Sequence, residues 1–243
     1  MIIFIFLIII IFMLYFFKKS SENFYNIDNI NNYNNDNIYD KIDIIYYINL
    51  DHRTDRNASF LNEINKINFP KNKIKRISAI KHDRGEIGCS QSHIKILKEF
   101  INSDYKNCII FEDDFIFNHN QSIVKYIFKQ LFDNRIDYDI VMLSGYIQKY
   151  KNTNKKFLNK VDNGQTTSGY LVSKKFAKKL LENYLEGEEL LRTHDKSYYG
   201  IYAIDQYWKK LQENNNWYIF NPLLGKQGES YSDIQKIITN YNI

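Results

Sequence analysis

Residues 107–115 read NCIIFEDDF. Cys108 to Phe111 is a short continuous apolar run, of a length that suits a strand covered on both faces better than a helix. Three acids, Glu112, Asp113 and Asp114, follow it directly. Runs of the same kind recur as DIIYYINL (43–50), DIVMLS (139–144) and GYLVS (169–173). Between them lie apolar residues at helical spacing. Phe60, Leu61, Ile64 and Ile67 mark a helix over 54–67, and Ile94, Leu97 and Ile101 mark one over 86–101. A helix-like segment covers 120–132. Phe176, Leu180, Leu181 and Tyr184 mark a further helix that Ser173 is suited to cap, with Lys174, Lys175, Lys178 and Lys179 on a solvated face. A strand is expected over 73–80, a helix over 203–211, and a last strand and turn over 218–224. The polar stretch 146–163 reads as a loop or weak hairpin. This alternation specifies an α/β layer fold with a mostly parallel central sheet. In such sheets ligands bind beyond the carboxyl ends of the strands, where the three acids lie.

The chain has 243 residues, enough for one substantial domain and a tail. Its 44% hydrophobic and 25% charged residues fit a globular protein. Aromatics reach 16%, a bias that goes with plentiful Asn, Ile and Lys and is read as genome composition, not function. The net charge of +5 reads as a lysine-coated surface. No basic cluster with interleaved aromatics appears, so no nucleic-acid partner is expected. Cys89 and Cys108 form no CxxC pair, which argues against a cysteine zinc site; two free thiols are the favoured reading, and a mutual disulfide stays open.

Residues Ile2 to Phe17 are all apolar or aromatic, and Lys18 and Lys19 follow. The run is slightly shorter than the ~20 residues that span a bilayer, although aromatic ends and snorkelling lysines extend its reach. No basic segment precedes it and no small-residue cleavage site follows it, so a single-pass membrane anchor over 1–19 is favoured over a signal peptide. The side of the membrane stays open. Residues 20–40 are polar and Asn-rich and read as a stem, leaving 41–243 as the globular domain.

Three constellations carry chemistry. Clustered carboxylates repel, so Glu112, Asp113 and Asp114 need an offsetting charge. A hard divalent cation, Mg²⁺ or Mn²⁺, is the natural one. Alternation along extended chain points Glu112 and Asp114 the same way, in the manner of the DxD motif of nucleotide-sugar enzymes. The plain alternative is a solvated acidic turn. The second constellation, Ile48 to Arg56, sits where the first strand meets the first helix, with Arg53 and the helix start able to face phosphate and Asp51 or Thr54 as candidate caps. The third, Gly85-Glu86-Ile87-Gly88-Cys89-Ser90-Gln91-Ser92-His93, opens a helix with two glycines that permit close backbone approach.

Taken in order, Asn-Leu-Asp-x-Arg-x-Asp-Arg, Gly-Glu-Ile-Gly-Cys-x-x-Ser-His and the strand ending Glu-Asp-Asp resemble glycosyltransferase family 25, which includes lipooligosaccharide and collagen galactosyltransferases. The resemblance continues through Gly169-Tyr170-Leu171-Val172-Ser173, Ala203-Ile204-Asp205-Gln206-Tyr207-Trp208, Asn221-Pro222-Leu223, Gln227 and Ser232-Asp233-Ile234. It implies a GT-A, Rossmann-like nucleotide-sugar-binding fold, a UDP-sugar donor, a glycan or glycoprotein acceptor, and a Mn²⁺ or Mg²⁺ ion. By position, Asn49, Leu50, Arg53, Gly88, Ser92, His93 and Gln227 are implied in donor binding. Glu112 and Asp114 are implied as metal ligands, with Asp113 in the same catalytic cluster. Asp205 is implied as the base that deprotonates the acceptor in an inverting transfer. Enzymes of this fold often add a late histidine to the metal; here either His194 or water serves. A non-catalytic membrane-tethered scaffold is the alternative, against which the intact acidic triplet argues. A phosphoryl-transfer enzyme would need a Gly-Lys-Ser/Thr phosphate loop, which the sequence lacks.

Overall fold

The computed structural model describes residues 38–228, 230–231 and 238–239. The expected anchor (1–19), all but the last three residues of the expected stem (20–40) and the Ser232-Asp233-Ile234 motif lie outside the described residues. Among the described residues no helix is long and apolar enough to cross a membrane.

The strands are β1 (Ile44–Asn49), β2 (Ile74–Ser78), β3 (Asn107–Glu112), β4 (Phe115–Phe117), β5 (Ile140–Met142), β6 (Tyr146–Asn152), β7 (Leu158–Gln165), β8 (Gly169–Ser173), β9 (Trp217–Phe220) and β10 (Gly225–Gln227), with a separate two-residue pair at Ser230–Tyr231 and Ile238–Thr239. The helices are α1 (Thr54–Ile67), α2 (Gly85–Ile101), α3 (Gln121–Asp133), α4 (Lys174–Thr193), α5 (Tyr199–Tyr202) and α6 (Ile204–Tyr207). Eight strands form one sheet in the order β2-β1-β3-β8-β5-β9-β7-β6. Six of the eight run the same way, while β8 and β7 run against their neighbours.

The continuous apolar runs follow from burial on both faces. Alternate residues Tyr46, Ile48, Cys108, Ile110, Met142, Tyr170 and Val172 pack into a core with Ile94, Leu97 and Phe100 of α2 and Phe176, Leu180 and Tyr184 of α4. The intervening residues face α1, where Phe60 stacks on Tyr47 at 4.8 Å and tilts against Phe111 at 5.6 Å. A 3-10 turn over Ile38–Lys41 buries Ile38 and Tyr39, whose hydroxyl donates to the Ile67 carbonyl at 3.0 Å.

Of the two expectations for 146–163 the hairpin holds, as β6 paired with β7, and β7 joins the main sheet through β9. Several other local expectations are corrected. The 203–211 segment is not one helix: α6 passes into a 3-10 turn at Trp208–Leu211. Arg53, not Asp51 or Thr54, occupies the cap position of α1, and its side chain makes no cap bond. Asp51 instead accepts from Arg76 Nη2 and Ser78 Oγ, both at 2.7 Å. Ser173 sits at the α4 cap position without a side-chain cap bond. Lys174 is not merely solvated: its Nζ donates to the Phe100 and Ser103 carbonyls, each at 2.6 Å, where α2 ends. That is a favourable place for a cation, because helix C-terminal carbonyls lack intrahelical donors. Cys89 and Cys108 are both free thiols.

Candidate active site

The carboxyl ends of β1, β2, β3 and β5 and the start of β8 share one edge of the sheet, since Asn49 pairs with Ser78, Ile48 with Glu112, and Phe111 with Gly169. The acidic turn at that edge is fixed from below by the short strand that follows it. The Phe115 ring is buried where a side chain on Gly169 would lie 2.5 Å from it and one on Gly225 only 2.1 Å from it. Those two glycines leave the room Phe115 needs. The β4–β10 pairing then sets Gln227 opposite Phe115, and Gln227 Nε2 donates to Asp114 Oδ2 at 3.1 Å.

Two hydrogen-bonded chains converge on the three acids. In the first, Arg76 donates through Nε and Nη2 to Asn49 Oδ1 at 3.0 and 2.8 Å. The Asn49 amide donates in turn to Asp113 Oδ2 at 2.6 Å and to the Arg53 carbonyl at 3.0 Å. Arg56 then bridges the turn, with Nε 2.9 Å from Asp113 Oδ1 and Nη2 2.6 Å from Asp114 Oδ2. In the second, Tyr184 donates to the Tyr170 hydroxyl at 3.4 Å, and that hydroxyl meets His93 Nδ1 at 2.9 Å. His93 Nε2 lies 3.4 Å from Glu112 Oε1, which also accepts from Thr167 Oγ1 at 2.6 Å. An ionised carboxylate only accepts, so Nε2 carries a proton toward Glu112.

The two chains leave the acids in different electrostatic states. Burial acts to raise the Glu112 carboxyl, yet the bonds from His93 and Thr167 hold it below its ordinary value. Burial raises Asp113, against the pull of Arg56 and Asn49. Asp114 is pushed up to about 7, first by burial and then by the charge of Glu112. Its Oδ1 is buried and has no hydrogen-bond partner among the described residues.

Asp205 joins this edge from α6. Its Oδ2 accepts from the Thr166 backbone N–H at 3.2 Å, and burial raises its carboxyl, with Glu112 adding a further push. Thr166 has φ of 92°, an uncommon conformation for a β-branched residue. Such strain is held only where surrounding contacts fix it. Here it turns one N–H toward Asp205 while the next hydroxyl meets Glu112.

Other expected site residues are placed differently. A side chain on Gly88 would meet the Ile80 carbonyl oxygen at 2.4 Å, so this glycine packs α2 against the chain before it. Ser92 accepts from the Ile80 N–H at 2.8 Å and donates to the Gly88 carbonyl at 2.6 Å. Together they fasten the segment after β2 to α2. Ser92→Ala is therefore expected to cost about 1–2 kcal/mol by orphaning a partly buried N–H, read as a lower urea midpoint at unchanged slope. The Leu50 carbonyl accepts from the Arg53 N–H at 2.9 Å, and the Arg53 guanidinium folds onto Asp55 at 3.0 Å. The charge of Arg53 still acts on Asp113. His194 bonds back to the Leu190 carbonyl at 2.9 Å and packs against Tyr198 and Tyr202, while Asp195 caps the turn that follows.

Cys89 joins His93 and Glu112 in offering ligand atoms within 4.8 Å of one another. Burial, followed by the charge of Glu112, raises the Cys89 thiol well above its ordinary value. That environment favours a neutral thiol, whereas the thiolate is the metal-binding form. Arg56, Thr166, Thr167 and Tyr170 are the site residues that sequence reasoning did not single out individually.

Residues 83–193, which include α2, the acidic turn, Thr166 and Thr167, match Glycosyltransferase family 25 (LPS biosynthesis protein). That segment of the chain is similar to the family. Over 107 residues it is 30% identical to human procollagen galactosyltransferase 2, a stretch covering 40% of this chain and 17% of that protein. Two solved structures align with it at low similarity. A197 from STIV has a TM-score of 0.45 and 13% identity, covering 83% of this chain and 96% of that one. Mannose-1-phosphate geranyltransferase from Thermus thermophilus has a TM-score of 0.41 and 6% identity, covering 74% of this chain and 73% of that one.

Proposed function

We propose that the protein transfers a hexose, galactose or glucose, from a UDP-sugar to a glycan or protein acceptor with inversion, assisted by Mn²⁺ or Mg²⁺. The observation that carries this reading is the gathering of Asn49, Glu112, Asp113, Asp114 and Asp205 at one sheet edge of a domain similar to family 25. The donors fit a hard cation: among the described residues Asp114 presents an unpartnered buried oxygen, and its carboxyl is raised by burial and then by the charge of Glu112. Glu112 and Asp114 would hold the ion, which when bound supplies positive charge to the departing diphosphate.

The chain's own residues do the remaining work. Asn49, tied on its far side by Arg76, fixes Asp113. Thr167 and His93 fix Glu112. Asp205 receives the acceptor hydroxyl's proton, and its burial sets it as a stronger base than an ordinary aspartate. A base must be ionised to accept, so kcat/KM is expected to fall as pH drops through a value above the ordinary carboxylate range. Asp205→Asn is expected to lower kcat by about 10²–10⁴. An unchanged pH profile in that variant would exclude Asp205 as the base. The apolar run Ile2 to Phe17 supports a membrane tether for this domain.

The test is donor turnover and binding by the full chain with UDP-galactose, UDP-glucose and other nucleotide sugars, with Mn²⁺ or chelator. Metal-dependent turnover of one donor establishes the reading. A folded chain that binds no nucleotide sugar with any metal removes it and leaves a tethered scaffold.

A further inference from the structure

The acidic turn must hold its charge before any substrate arrives, and one side chain does so with unusual completeness. Arg56 reaches from α1 across to the turn after β3 and pairs with two adjacent carboxylates at once. The three side chains are only 15%, 9% and 11% exposed, so solvent screens the pairs weakly. The contacts are ion pairs by distance, one nitrogen to each carboxylate, and Nε makes no hydrogen bond among the described residues. The remaining valences are nearly spent: Asn49 takes Asp113 Oδ2, and Gln227 shares Asp114 Oδ2. Among the described residues, Asp114 Oδ1 and Arg56 Nε have no hydrogen-bond partner.

We propose that Arg56 is a resident counter-cation of the acidic turn, and that a divalent cation must displace it from Asp113 and Asp114 in order to bind. This rests on the metal-assisted reading above. A cation entering at Asp114 Oδ1 brings two positive charges beside the guanidinium, which then loses more to repulsion than it keeps in pairing. The turn is thus metal-competent only while the Arg56 bridge is open, and the apparent metal affinity is reduced by that fraction. The bridge also lets the buried acids fold without metal. The displaced guanidinium stays within reach of the edge, a monovalent cation that can meet a phosphate.

The experiment is Mn²⁺ titration of the full chain by calorimetry, without donor, for wild type, Arg56→Gln and Arg56→Lys. Arg56→Gln is expected to bind Mn²⁺ at least ten-fold tighter and to gain a larger rise in thermal midpoint from saturating Mn²⁺. Arg56→Lys keeps the charge but has one nitrogen in place of the two that contact Asp113 and Asp114, so an intermediate gain of about three-fold is expected. If Arg56→Gln does not fold, Arg56→Lys carries the test by the same criterion. Equal or weaker Mn²⁺ binding in the variants overturns the proposal. The two readings separate cleanly. Equal binding together with metal-dependent turnover sinks only the competition, whereas no Mn²⁺ binding by any form, with sugar transfer persisting in chelator, sinks the metal assignment as well.

Discussion

Asp114→Asn is expected to lower sugar transfer about 10²–10³-fold while leaving the folded domain as stable as before or more so. The two effects have one cause. The Asp114 carboxyl is pushed up to about 7 by burial and by Glu112, even with Arg56 at 2.6 Å. Its charge therefore costs the folded state near neutral pH, and asparagine removes that cost with little change of shape. A displacement of this size corresponds to up to a few kcal/mol at most; the lost Arg56 contact offsets part of it, so a gain of about 1 kcal/mol at pH 8 is expected.

The sign with pH follows from proton linkage. An aspartate in the unfolded chain releases its proton near the ordinary carboxylate value, while folded Asp114 keeps it to about 7. Between those limits the folded state binds more protons, so this group's contribution to stability falls as pH rises through the window. Asparagine removes that slope. Urea unfolding of both proteins at pH 5.5 and pH 8 measures it: the wild-type penalty at pH 8 relative to pH 5.5 shrinks in the variant. Destabilisation of Asp114→Asn by more than about 2 kcal/mol at pH 8 would mark Asp114 as a structural partner of Arg56, and the functional reading of the turn would lose its main support.

The same residue shows what the sequence makes legible. An apolar run followed by Glu112, Asp113 and Asp114 is enough to place acids at the carboxyl end of a buried strand, and β3 ends at Glu112. Helices α1 and α2 are legible because their apolar stripes are long and periodic, and α1 spans Thr54–Ile67, the range that periodicity specifies. Reversed direction in β8 is not legible, since a strand buried on both faces has the same composition whichever way it runs. The hairpin at 146–165 is left open against a loop for a different reason. Its outer strand β6 is exposed and polar, so its pairing rests on backbone bonds that leave no apolar signature. Within the site, Arg56 follows α1 in an ordinary amphipathic pattern, and only the α1-to-turn distance reveals its role. Thr166 gives no sign in the sequence either, because a positive φ at a non-glycine residue is imposed by tertiary contacts. Gly88 and Ser92 carry a recognisable motif, but the geometry assigns them to fastening the chain before α2.

Trp208→Ala is expected to have the largest effect on stability, about 3–5 kcal/mol, and to take activity with it. Trp208 is fully buried, with its ring edge-on to Trp217 at 4.9 Å and to Tyr170 at 5.6 Å. Its Nε1 donates to the Gly164 carbonyl at 3.1 Å. Gln212 clasps the same residue, accepting from the Gly164 N–H and donating to its carbonyl, both at 2.7 Å. These contacts bind the stretch after α6 to the end of β7, which leads directly into Thr166 and Thr167. Asp205 lies three residues before Trp208, and its bond to Thr166 spans the same junction. Trp208→Phe separates packing from hydrogen bonding. The ring contacts are largely kept and Gly164 keeps its Gln212 donor, so the cost should fall to about 1–2 kcal/mol. Thermal and urea unfolding of both variants measure the difference. If the phenylalanine form folds nearly as well as wild type yet transfers sugar more slowly with unchanged donor affinity, Trp208 acts on catalysis by seating Asp205 against the Thr166 turn; if donor affinity falls in parallel, the effect passes instead through Thr167 to Glu112.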